Sequence, residues 1–260
     1  MKAKTQELLS LLLWTCDMLS RPTFRNLTDS FETWAYRNGL DWQLARLAQG
    51  KLLERRGDKR SDRVYRLTEL GRLQSLGGRD PEACWRRIWD GRWRLVLFDF
   101  PRIKNAARNK LREYLKSRGF GYLQNSVWLT PHPVTLEKEA LAGGGIDVKA
   151  LIWLEARPCA GESDEEIVVG AWDFPFINKR YQNHLEVLAE RPRERLTSDA
   201  AAKAFHRWIR RERAAWIDAV QPDPLLPERL LPPDYLGKRA WRARLEMFKD
   251  AASQIREFEH

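Results

Sequence analysis

Asp99 stands within WRLVLFDFP, residues 93 to 101, a carboxylate among side chains that belong in a protein interior. An acid so placed has three ordinary uses. It can hold a metal that activates water for phosphodiester cleavage, it can contact an effector, or it can accept hydrogen bonds from backbone N–H groups at a helix start. Metal-assisted cleavage needs several oxygen ligands, and no second acid lies close by, so Asp99 would have to borrow its twin across a dimer axis. The structural use asks for less, because the dipole of a helix starting near Asn105 favours an anion there.

Other residues with catalytic chemistry are scattered. His132, His184, His206 and His260 show no HExxH-like spacing. Ser126, His132 and Asp147 lack the nucleophile-elbow sequence that would make a triad of them. Cys16, Cys84 and Cys159 form no CxxC pattern, so neither a disulfide framework nor a zinc site is expected, and a reducing cytoplasm is the default. The expectation is a protein that is not an enzyme and needs no cofactor or metal.

Charge points elsewhere. The 260-residue chain carries a formal net charge of +10, which favours a polyanionic partner. Lys51, Arg55, Arg56, Lys59, Arg60, Arg63 and Arg66 crowd one short segment, against the acids Glu54, Asp58 and Asp62. Phosphate contacts need such a cluster, and a solvated loop with surplus charge is its plainer reading.

The elements that must position these residues fall into three parts. Residues 1–78 read as three helices followed by a hairpin. Leu8, Leu9, Leu12 and Leu19 share a face of the first, Thr28 starts the second, and the third runs from Asp41 to a stop at Gly50. Then RVYRLT leans to strand. This is the winged helix-turn-helix order, in which the third helix enters a major groove and the hairpin tip reaches the backbone. The candidate DNA contacts are Trp42, Gln43 and Arg46 on the helix, with Lys51, Arg55, Arg56, Lys59, Arg60 and Arg63 on the wing. The start also mimics a signal peptide, but Glu7 and Asp17 bracket its apolar run and no small-residue cleavage site follows. No stretch reaches the roughly 18 apolar residues that span a membrane.

Residues 79–90 form a linker rich in arginine and tryptophan, whose tryptophans could stack bases only if exposed. Residues 91–160 follow the ferredoxin-like order of strand, helix, two strands, helix, strand. RWRLVLFDF is nearly continuous in apolar residues and should be central in the sheet. The helix NAARNKLREYLKSRGF turns Ala107, Leu111, Tyr114 and Leu115 inward, stops at Gly119, and presents Lys104, Arg108 and Arg112 as an exposed basic stripe. Residues 161–260 read as mainly helical, with PFINKRYQNHLEVL and AAKAFHRWIRRERAAWIDAV at helical spacing. Between helices, prolines at 222, 224, 227, 232 and 233 exclude regular helix and imply a fixed extended path packed over other elements. The fold class is α+β.

The segment WRLVLFDFP, the Arg108 to Leu111 spacing and GFGYLQNSVWLTP resemble the middle domain of the PaaX family of bacterial transcriptional regulators. AWDFPFINKRY and DPLLPERLLPPDYLGKRA resemble that family's C-terminal signature. The resemblance implies a homodimeric repressor of catabolic genes that binds double-stranded DNA and is released by a small effector such as an aryl-acyl-CoA. The strand ending in Asp99, the basic helix, and Gln124, Ser126 and Val127 also resemble the small ferredoxin-fold subunit of the CRISPR adaptation complex. That likeness implies the alternative, a metal-dependent nuclease or nucleic-acid scaffold.

Overall fold

The computed structural model describes residues 41–56, 64–68, 79–98, 105–134, 137–143, 148–194 and 199–258. The chain divides into two compact units: Pro81–His184 with Asp218–Ala240, and Met1–Asp80 with Leu185–Ile217 and Trp241–His260. The expected first and second helices, Asp99, and the hairpin-tip residues Lys59, Arg60 and Arg63 lie outside the described residues.

The first of these units is built on a sheet. After the short helix α2 (Pro81–Trp85) come β3 (Trp93–Phe98), α3 (Asn105–Ser117), β4 (Gly121–Gln124), β5 (Val127–Thr130), α4 (Glu137–Gly143) and β6 (Leu151–Ala156). The sheet order is β4-β5-β3-β6 and every pairing is antiparallel. The apolar strand is therefore central, as its composition requires, and the interleaved order is that of a ferredoxin-like sheet. Register aligns Val96 with both Trp128 and Trp153 and Phe98 with Leu151. These residues pack against Leu111 and Leu115 of α3 and Leu141 of α4, so one sheet face holds the core.

The opposite face is covered over β4 by α5 (Asp164–Ala171), a helix that periodicity did not suggest. Its signal is local. Ser163 accepts a hydrogen bond from the Glu166 N–H at 3.1 Å, and the Glu166 carboxylate accepts one from the Ser163 N–H at 2.8 Å, a complete capping box. Trp93 anchors the helix by donating from Nε1 to Asp164 at 2.9 Å. A Cβ at Gly121 would lie 2.6 Å from Trp172, so only glycine lets strand and helix approach this closely.

The basic stripe on α3 needs correction. Lys104 lies outside the described residues, and Arg108 and Arg112 are half-buried. Position 108 is three before Leu111 and 112 is three before Leu115, so both arginines border the buried face and lay their stems along it. The stacking platform fails for a similar reason, because Trp85 and Trp93 are buried and Trp89 lies half-buried beneath Arg229.

The helices α6 (Phe174–Ala189), α7 (Asp199–Val220) and α8 (Gly237–Phe258) supply residues to both units. In the unit containing residues 185–217, Phe205, Trp208, Met247 and Phe248 form a core bordered by Leu188 and Ile209. Beside it Arg244 donates to Glu212 at 2.7 Å, with both side chains nearly removed from water. The guanidinium sits over the rings of Trp216 and Phe248, at 5.1 and 4.6 Å. Such a pair resists loss of either partner, since the survivor would be a buried unpaired charge.

Gly121→Ala should destabilise the protein by about 1–3 kcal/mol, the ordinary cost of overfilling a packed contact. Chemical denaturation followed by tryptophan fluorescence checks this.

Candidate functional site

Helix α1 (Asp41–Gln49) ends as the sequence suggests, but its stop is not Gly50. The Leu52 N–H donates to the Leu47 carbonyl at 2.9 Å and the Lys51 N–H to that of Ala48 at 3.0 Å, the two bonds of a Schellman motif. The left-handed residue such a motif requires is Lys51, with φ of 55°. Leu47 and Leu52 are both buried, supplying the apolar contact that closes it. The same device ends α3, where Phe120 reaches back to Leu115 at 3.0 Å and the left-handed position holds glycine, Gly119 with φ of 81°. Lysine at position 51 thus takes a conformation that glycine adopts more cheaply.

Directly after this turn, β1 (Leu53–Arg56) pairs antiparallel with β2 (Val64–Leu67). Register sets Glu54 opposite Arg66 and Arg55 opposite Tyr65. Helix and hairpin are tied at the base: Thr68 donates its N–H to the Leu52 carbonyl at 3.1 Å and its hydroxyl to the Lys51 carbonyl at 2.6 Å. Of the expected contacts, Trp42 and Gln43 fall in the first turn of α1 and Arg46, exposed, in its last. Lys51 is exposed at the junction, and Arg55 and Arg56 end β1 next to the tip.

Two further constellations went unforeseen. In the sheet unit, Arg94 is buried at the start of the central strand and donates to both Asp90 oxygens, to the Pro131 carbonyl and, at 3.4 Å, to Glu155. Arg92 donates to the other oxygen of Glu155 at 2.6 Å. The hydrogen bond from Arg94 holds the Asp90 carboxyl below its ordinary value, that from Arg92 does the same for Glu155, and the bond to Asp90 raises Arg94. This cluster borders a surface cavity of about 400 Å³ lined by Pro133, Val134, Glu137, Trp153 and Leu154. Of the triad considered in the sequence, Asp147 lies outside the described residues, and the His132 Nδ1 lies 2.6 Å from the Arg87 guanidinium.

The second constellation joins the two C-terminal segments. Asp223 has no exposure, and its Oδ2 accepts from the hydroxyls of both Tyr181, at 2.5 Å, and Tyr235, while Oδ1 accepts from the Leu225 N–H at 2.8 Å. Burial first, then the Asp223 charge, pushes both tyrosines well above their ordinary pKa, so both remain donors. Asn178 clasps the same loop, donating to Asp234 and accepting from the Leu236 N–H at 2.9 Å. Tyr235 also meets Trp85, Phe174 and Tyr181 edge to face. The proline-rich path is thereby fixed, and its only helix among the described residues is a single 3₁₀ turn, Glu228–Leu230.

The residues so assembled coincide with two known families of segment. A family model described as the PaaX protein central Cas2-like domain matches residues 86–168, and one described as the PaaX-like protein C-terminal domain matches residues 172–259. The chain belongs to the PaaX family. Within the PaaX match, the C-terminal model spans the whole Tyr181–Asp223–Tyr235 cluster, and the central one spans Arg94 and its partners. Among solved structures, the uncharacterized protein Rv0674 from Mycobacterium tuberculosis is similar, with a TM-score of 0.61 and 22% identity over 97% of each chain. That similarity concerns the fold. No curated protein matches the chain. Among the described residues no helix is long and apolar enough to cross a membrane.

Tyr181→Phe and Tyr235→Phe should each cost about 1.5–3 kcal/mol, because each removes a donor to a buried carboxylate. Sharing one oxygen, they should combine non-additively in denaturant unfolding. The Asp90 and Glu155 contributions run with pH in a fixed direction. Both carboxyls sit below their ordinary values of 3.8 and 4.5, so their stabilisation is complete above those values and lost as pH falls through the lower native ones. Asp90→Asn should therefore lose less stability on acidification than the parent, measured by urea midpoints across that range.

Proposed function

We propose that this PaaX-family protein is a DNA-binding transcriptional regulator whose N-terminal segment is a winged helix-turn-helix. One observation carries the reading: a helix bearing Arg46 runs through a locked turn at Lys51 straight into an antiparallel hairpin whose strand ends in Arg55-Arg56. Helix and hairpin in this order are the groove-reading and backbone-reading parts of a winged-helix module. The Schellman turn and the Thr68 bonds fix their mutual angle, which contacts to groove and phosphate need held at once. On this reading Trp42, Gln43 and Arg46 face bases, and Lys51, Arg55, Arg56, Lys59, Arg60 and Arg63 meet phosphates.

The further parts of the proposal come from the family. The protein acts as a homodimeric repressor of catabolic genes and leaves its operator when a small effector such as an aryl-acyl-CoA binds.

The duplex flanking the protein's own gene should bind more tightly than random duplex, with affinity falling steeply as salt rises. Equal binding to both would sink the specific-regulator reading. Lys51→Gly separates fold from contact. It should unfold at an equal or higher denaturant midpoint, since glycine accepts the left-handed turn without a Cβ, yet flatten the log–log salt slope by about 0.9, one phosphate contact.

A further inference from the structure

The N-terminal helix and hairpin share their compact unit with Leu185–Ile217 and Trp241–His260. Within it, α7 divides its residues sharply. Phe205, Trp208, Glu212, Ala215 and Trp216 are buried, and contacts with Met247 and Phe248 together with the Arg244–Glu212 pair fix the rotation of the helix. That rotation leaves Arg207, Arg210 and Arg211 exposed. Spaced three and four apart, they occupy one patch on a helix that cannot turn to hide them.

Arg211 pairs with Glu190 at 2.6 Å, but both side chains are more than half exposed, at 60% and 54%, so the pair is screened and readily exchanged. Arg191, on the chain just beyond Glu190, is already committed to Asp250 at 2.6 Å. A guanidinium offers a rigid fork of donors that matches phosphate oxygens, and three such forks on one turn suit a row of phosphates better than any neutral partner.

We propose that the Arg207, Arg210 and Arg211 face of α7 is a second contact for duplex DNA, gripping backbone phosphates and reading no bases. The proposal rests on the DNA-binding reading above and extends it to a helix outside the winged-helix segment. The partner is the polyanion itself, so the contact is the same on every sequence. It adds affinity without changing the preference among operators.

The test measures salt-dependent binding of the full-length protein to two duplexes, one from beside its gene and one random, by fluorescence anisotropy. The triple variant Arg207→Gln, Arg210→Gln, Arg211→Gln should weaken both complexes by the same factor and flatten the log–log salt slope by about 2 to 3. The matching triple lysine variant should restore the slope, and both should unfold at the parental denaturant midpoint because the patch faces water. A glutamine variant with parental affinity and slope overturns the proposal while leaving the DNA reading intact. A parent protein that binds neither duplex at low salt overturns both.

Discussion

A carboxylate removed from water must be given donors or the chain will not close around it. Asp223 meets that constraint with Tyr181, Tyr235 and the Leu225 N–H, and much else in its unit follows. Leu225 takes a left-handed conformation, φ of 52°, while wholly buried, a strained posture that the hydrogen bond to Asp223 helps hold. Gly237 follows two residues after Tyr235 because a Cβ there would run into the tyrosine ring. The prolines between them remove backbone donors and leave few alternative paths. Tyr181 lies on α6, so one buried anion ties that helix to the segment leading into α8.

The proposed DNA contact depends on a second kind of constraint, the helix stop. The Schellman turns at Lys51 and Gly119 show the same bonds and the same apolar closure, with residues of opposite character at the left-handed position. At Gly119 the turn leads into the buried start of β4, where glycine is the cheap choice. At Lys51 the turn is exposed and leads into the hairpin. A lysine kept at a conformational cost beside Arg46, Arg55 and Arg56 makes sense if its charge has a partner. The Arg207 to Arg211 face of α7 belongs to the same compact unit.

How much of this the sequence discloses depends on the range of the interaction. Local signals carry well: α1, α3 and the central strand appear where periodicity, apolar runs and turn residues place them, and the sheet order follows from the order of elements. The capping box at Ser163 and Glu166 was equally local, and helix α5 was legible from it. Long-range pairing was not. Nothing in the neighbourhood of Tyr181 points to Asp223, 42 positions on, and Arg94 reads as an intruder in an apolar strand until Asp90 and Glu155 are brought to it. Arg108 and Arg112 were misread because helical spacing tells which residues share a face, and not how far down its flank the packing extends. Lys51 was read as a phosphate contact but not as the left-handed helix stop, because the glycine next to it looked sufficient.

The central claim is that residues 41–68 form the surface that meets DNA. Amide hydrogen exchange of the full-length protein, with and without the duplex from beside its gene, tests this by location. The account predicts that protection on binding concentrates in α1, the Lys51 turn and the hairpin. Protection confined to the strands of the middle sheet, with residues 41–68 exchanging as in the free protein, would contradict it.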